Sequence, residues 1–88
     1  MVPYPKVRSV HPLEYQRLRV VFVNGAVRVY DCTPLLASPE FQLLANDVFF
    51  RSVRPDTHGY GVIWNDEVDL AEAELWINGT PDKEAEGR

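Results

Sequence analysis

The reactive side chains of this 88-residue chain are few: one thiol, Cys32, and two imidazoles, His11 and His58, that could serve it as a base. A nucleophilic cysteine needs a depressed pKa, supplied by a helix start or a neighbouring cation. Cys32 has Asp31 beside it instead, and a carboxylate raises a thiol pKa. Cys32 therefore reads as structural and half-buried. His11, Cys32 and His58 do not have metal-ligand spacing. Asp66, Glu67 and Asp69 form a short acidic stretch without the glycine and regular oxygen spacing of a calcium loop. Asp69 is better used as a helix cap. Gly59-Tyr60-Gly61 is a GxG that joins strand to strand, so it does not open a helix toward a phosphate. The thirteen acids single out no catalytic pair. The reading is a chain that is not an enzyme, with no catalytic, cofactor-binding or metal-binding residue assigned and no cofactor.

Binding is a better match than catalysis. Arg17, Arg19, Arg28 and Tyr30 are placed together on one exposed face of a hairpin, with Arg19 opposite Tyr30 at stacking distance. Arginine and tyrosine are favoured at protein interfaces, so these four residues are the candidate partner-binding face. The face lacks the interleaved aromatics of an RNA-stacking sheet. A second candidate is a small-ligand pocket, or a minor enzyme site, near Trp64, His58 and Tyr60.

That face depends on the stretch Leu18–Asp31, LRVVFVNGAVRVYD. Asn24-Gly25 is a two-residue type I′ turn signal. Such a turn pairs Val23 with Ala26, Phe22 with Val27, Val21 with Arg28, Val20 with Val29, and Arg19 with Tyr30. Leu18, Val20, Phe22, Val27 and Val29 then share the core face. Before the hairpin, Lys6–His11 reads as a first strand, with a bulge to reconcile Val7 and Val10 and with Pro12 to end it. After it, Thr33-Pro34 and Ser38-Pro39 are two helix starts. The second runs Pro39–Ala45, presents Phe41 and Leu44 on one face, and is closed by Asn46-Asp47. Phe49–Asp56 reads as a strand, 57–61 as a turn, Val62–Trp64 as a returning strand and 65–68 as a loop. Asp69 caps a last helix with Glu72 at capping-box spacing. Leu70, Ala73, Trp76 and Ile77 form its apolar stripe, and Asn78-Gly79 stops it.

The predicted fold is α+β, a small two-layer domain: an antiparallel sheet built on a β-hairpin, short helices packed on one face, order βββ-α-ββ-α. One domain spans 1–79, and 80–88 is a disordered polar tail. Apolar residues at 45% and charged residues at 25% are ordinary for a globular chain. No run is long enough for a membrane span, the first ten residues show no signal-peptide core, and a lone cysteine permits no internal disulfide, so a cytoplasmic location is expected.

The net charge of −4 is uneven: residues 1–30 balance at +4, 31–60 at −2 and 61–88 at −6. This suits solvated faces of opposite sign, an acidic partner for the basic face, or head-to-tail self-association. It speaks against direct nucleic-acid binding. An open sheet edge that accepts a partner's strand is an alternative to the basic hairpin face, and open edges are compatible with a homodimer.

The chain resembles the bacterial family called domain of unknown function 2442. The resemblance rests on Leu18, Val20, Phe22, Asn24-Gly25 and Asp31, then Leu35-Leu36, Phe41, Leu44, Phe50, Val53 and Asp56. It continues through Val62, Trp64, Asp69-Leu70 and Leu75, and covers about residues 6–78. Asn65-Asp66-Glu67-Val68 departs from the proline and glycine that members often show after the tryptophan. The resemblance implies a similar α+β fold, no established enzymatic activity and no catalytic residues to carry over. Members are often encoded beside a second small protein, in toxin–antitoxin-like pairs, which implies a protein partner encoded nearby. Some are fused to a helix-turn-helix domain, for which the ten residues after Asn78 leave no room here.

Overall fold

A computed structural model describes residues 4–82 of the chain. These form seven strands in two antiparallel sheets with short helices between them, an α+β domain. The larger sheet holds β1 (Val7–Leu13), β2 (Arg17–Phe22), β3 (Val27–Asp31) and β7 (Thr80–Pro81), in that order. The smaller holds β4 (Arg54–Pro55), β5 (Gly61–Ile63) and β6 (Asp69–Ala71). Between β3 and β4 lie two 3-10 helices, Thr33–Ala37 and Pro39–Ala45, and the one-turn helix α1 (Asp47–Phe50). Helix α2 (Glu72–Asn78) joins β6 to β7.

The central hairpin forms, but one residue out of the predicted register. Leu18 pairs with Tyr30, Arg19 with Val29, Val20 with Arg28 and Val21 with Val27. The cause is the turn. The Gly25 N–H donates to the Phe22 carbonyl (2.9 Å), and the Phe22 N–H donates to the Ala26 carbonyl (2.9 Å). The loop is therefore the three residues Val23-Asn24-Gly25, with Gly25 alone in the left-handed region at φ +90°. This is the three-residue hairpin whose last loop position forms a bulge, not the two-residue primed turn. Asn24 contributes its side chain: Oδ1 accepts from the Ala26 N–H (2.9 Å).

A one-residue slip exchanges the faces of β3. Leu18, Val20 and Phe22 remain fully buried. Val29, predicted for the core, is half-buried on the outer face, and Tyr30, predicted for the solvent, is 4% exposed. The fully buried set adds Leu44, Phe50, Val62, Leu75 and Cys32. Each large apolar side chain of this kind contributes about 1.5–3 kcal/mol on burial. The core lies between the inner face of the larger sheet and the layer of helices and second sheet, with Phe22 edge-on to Trp76 (5.1 Å between centroids).

Other boundaries move for local reasons. The bulge in β1 falls between Val7 and Ser9 and brings Val7 and Val10 into the same core. Pro12 does not end the strand, because β1 is an edge strand and can spare an N–H. Asn46 closes the 3-10 helix Pro39–Ala45, its N–H donating to the Leu43 carbonyl (3.1 Å), and also starts the next one: Asn46 Oδ1 accepts from the Phe49 N–H (3.0 Å) and caps α1. The predicted strand 49–56 is thereby reduced to Arg54–Pro55. Asp69 is a β6 residue and caps nothing; α2 starts at Glu72, whose N–H donates to the Tyr60 carbonyl (3.0 Å). The expected stop at Asn78-Gly79 is where α2 ends.

The chain continues in order past Gly79. Thr80 and Pro81 pair with Val29 and Arg28, the Asp82 N–H donates to the Val27 carbonyl (2.9 Å), and the Asp82 carboxylate meets Arg19 at 3.0 Å. The ordered unit thus includes 80–82, which the composition placed in a disordered tail. Residues 1–3 and 83–88, the latter the rest of that predicted tail, lie outside the described residues.

Candidate functional site

The new register divides the four predicted face residues. Arg17 and Arg19 lie on the outer face of the larger sheet, while Arg28 and Tyr30 lie on the inner face beside Val20 and Leu18. Arg19 faces Val29, not Tyr30, and its Nε donates to Asp82 Oδ2 (3.0 Å). The Arg28 guanidinium lies 3.8 Å from the Trp76 ring centroid, with Nε buried and without a hydrogen-bond partner among the described residues. The structure therefore offers no single basic face made of all four.

Two of the four, Arg17 and Tyr30, meet at a different feature. A cleft of about 710 Å³ opens at the end of β3. Its floor is Val29, Tyr30 and Asp31; Pro34, Leu35 and Ser38 form one wall; Glu74, Asn78, Thr80 and Pro81 form the other.

Backbone alternation explains why the floor is open. Ala26 and Cys32 bond back toward the β2 side, through Phe22 N–H to Ala26 C=O and Cys32 N–H to Gln16 C=O (both 2.9 Å). Val27 bonds the other way, accepting from Asp82. Val29 and Asp31 follow Val27 by twos, so their N–H and C=O groups also point away from β2. Strand β7 covers Val29 but ends there, because Asn78 is already helical. Asp31 is left as an unpaired strand edge facing the cleft.

The side chains around that edge are positioned by α2. Glu74 and Asn78 are four apart and share a helix face. Glu74 Oε2 accepts from the Tyr30 hydroxyl (2.7 Å) and from Asn78 Nδ2 (2.9 Å). Burial, and after it the Glu74 hydrogen bond and charge, push the Tyr30 phenol well above its ordinary pKa. Tyr30 is a neutral donor that holds the carboxylate in place. Asp31 Oδ1 accepts from the Thr33 N–H (3.0 Å) and hydroxyl (2.8 Å), fixing the exit from β3. Arg17 turns to its own loop: Nε donates to the Glu14 carbonyl (3.1 Å), and the guanidinium stands 6.0 Å from the Tyr15 centroid. The arrangement can accept hydrogen bonds and positive charge beside apolar walls.

The other predicted candidates lie elsewhere. Cys32 is fully buried, and burial, followed by the Asp31 charge, pushes its thiol up to about 12. It is a core residue, more buried than the half-buried position expected. Trp64 is 3% exposed, with its indole N–H donating to the Phe50 carbonyl (2.9 Å), so it does not open toward a ligand. His58 and Tyr60 are exposed, with ring centroids 5.9 Å apart. Tyr60 borders a small cleft of about 150 Å³ that Trp64 does not reach. Among the described residues no group of three or more His, Cys, Asp or Glu side chains is placed to hold a metal ion. No helix among them is long and apolar enough to cross a membrane.

Sequence reasoning missed Glu74, Asn78 and the open edge at Asp31. The i,i+4 spacing of Glu74 and Asn78 was visible. Their target, Tyr30, becomes apparent only with the three-residue loop.

Comparison with known protein families matches residues 7–80 to the family described as "Protein of unknown function (DUF2442)". Neither the curated proteins nor the solved structures contain a match.

Proposed function

The chain belongs to the DUF2442 family, and on that premise we propose that it is a non-enzymatic binding domain that captures an extended segment of a protein partner. The place of capture is the cleft at the end of β3. The role is antitoxin-like: the partner is a second small protein, held and occluded by surface complementarity.

The observation that carries this reading is the strand edge at Asp31, uncovered beyond the end of β7. An edge of this kind accepts an added strand through main-chain hydrogen bonds, with alternate side chains entering flanking pockets. Pro34, Leu35 and Pro81 supply apolar contact, and the Tyr30–Glu74–Asn78 network supplies oriented polar atoms. The buried thiol of Cys32, pushed up to about 12, is no nucleophile at neutral pH.

Ser38 permits a direct test. It lines the cleft between the two 3-10 helices, in extended conformation, and its side chain makes no capping hydrogen bond. Tryptophan there obstructs the cleft without touching the core. Tagged wild-type and Ser38→Trp proteins are exposed to a lysate of the native host, and the retained proteins are compared by mass spectrometry. A stoichiometric small protein held by the wild type and lost by the variant is the expected result. Equal retention by both places any partner elsewhere on the molecule.

A small-ligand role is the second reading, favoured by the cleft volume of about 710 Å³, which lies within the roughly 300–1,000 Å³ of small-molecule sites. A metabolite that raises the melting temperature of the wild type but not of Ser38→Trp would support it.

A further inference from the structure

The carboxylates of the cleft are each bonded on one side only. Glu74 takes both its donors, Tyr30 and Asn78, on Oε2, and Asp31 takes both its donors from Thr33 on Oδ1. Oε1 of Glu74 and Oδ2 of Asp31 accept nothing from the described residues. A carboxylate oxygen that is fixed in place and unpaired is a receptor for a cation, and Glu74 is half-buried while Asp31 is exposed. The cleft's own cation, Arg17, is directed to Glu14 and Tyr15 and forms no ion pair with Asp31, its neighbour across the strands. Helix α2, which provides one wall, carries Glu72 and Glu74 and no basic residue.

Resting on the protein-binding reading above, we infer that the captured segment is an extended strand with an arginine or lysine side chain that enters the cleft and reaches Glu74, with Asp31 as the second acceptor. Three features select this occupant together. The uncovered edge takes backbone, which favours an extended chain over a helix. The unpaired oxygens select a cation over an anion. The apolar walls of Pro34, Leu35 and Pro81 accommodate the methylene stem of a long basic side chain. An acidic segment, which the basic N-terminal third alone would have suggested, meets like charge here.

The test is a positional-scanning array of ten-residue peptides, acetylated and amidated, probed with the full chain. The variants are Glu74→Gln, Asp31→Asn and the pair together. Each substitution retains an oxygen for the Tyr30 or Thr33 donors and removes only the charge. Circular dichroism and the melting temperature confirm that the fold is kept. The expected result is selection of Arg or Lys at one array position, with binding of the selected peptide at least tenfold weaker in Glu74→Gln and weaker again in the pair. Replacing the selected residue by norleucine should bring wild-type binding down to the level of the double variant. Capture of peptides without basic selection, or selection unchanged in the double variant, overturns this inference and leaves the protein-binding reading standing. Capture of no peptide of any composition overturns both.

Discussion

Tyr30, in β3, and Cys32, just past its end, serve different ends. Tyr30 connects the sheet to α2 through Glu74. A hydrogen bond to a charged partner contributes about 1.5–3 kcal/mol. Tyr30→Phe is therefore expected to lower unfolding free energy by that amount at pH 7, read by urea denaturation, and to loosen Glu74 in the cleft. Both groups hold their protons more tightly in the folded chain than in the unfolded one. The sign follows: the stability they confer is complete below the unfolded pKa values, roughly 8.5–9 for the thiol and 10 for the phenol, and is lost as pH rises beyond them. Between pH 9 and about 12 the thiol alone should remove about 1.4 kcal/mol per pH unit. Urea midpoints at pH 8, 9, 10 and 11 check this, and Cys32→Ala should flatten the early part of the decline. Asp56 behaves oppositely. Backbone N–H donors of His58 and Tyr60 lower its pKa, so its contribution is present above the ordinary carboxylate range and lost as pH falls through it.

At the scale of elements, the turns decide what the strands present. Left-handed backbone is used where the sequence does not advertise it: Tyr15 (φ 62°) and Gln16 (φ 53°) hold the β1–β2 turn, while Asn24-Gly25 uses one such position instead of two. An added Cβ at Gly25 meets nothing within 4 Å, so the cost of Gly25→Ala is conformational alone, about 1–2 kcal/mol. Gln16→Gly should leave stability unchanged or raise it by up to ~1 kcal/mol, because relief of the left-handed strain offsets the extra freedom of glycine when unfolded. Thermal denaturation of the two variants separates these effects. The same turns show what could be read in advance. The strands of the hairpin, the two proline-led turns at Thr33 and Ser38, the loop at 65–68 and the end of α2 were all legible, because Gly, Pro and capping residues act locally. The face of Tyr30 was not, because two- and three-residue loops fit the same Asn-Gly and differ by one residue of register. Asn46 was legible in only one of its two roles: it closes the 3-10 helix at Ala45 as read, but its side chain also caps α1, which sets Phe50 in the core. Asp69 looked like a cap until β5 provided a strand for β6, and Tyr60 supplied the hydrogen bond that a cap would have given. Gly61 (φ 150°) belongs to that arrangement; an added Cβ would collide with the Leu70 carbonyl, so Gly61→Ala should disrupt the β5–β6 pairing.

Across the whole molecule, the larger sheet has two ends of different character. Its β1 edge carries Pro12 and has its first residue tied to the β4–β5 turn by the Val7 N–H to Gly59 carbonyl bond (2.8 Å). Its opposite edge is closed by β7 along Val27–Val29 and left open at Asp31. Charge is mixed at this open end: Arg17 lines the cleft together with Asp31 and Glu74, while Arg19 is paired with Asp82. The binding role proposed for the domain depends on one backbone edge, and that edge has its own amide. Hydrogen–deuterium exchange, resolved to individual amides and followed with and without the captured partner, reads it directly. The Asp31 amide should exchange freely in the isolated chain and slow by at least tenfold in the complex, while the amides of β1 keep their rates. Slowing confined to β1 or to the surface around Tyr60, with Asp31 exchanging at its free rate, would mean that the cleft is not where the partner binds.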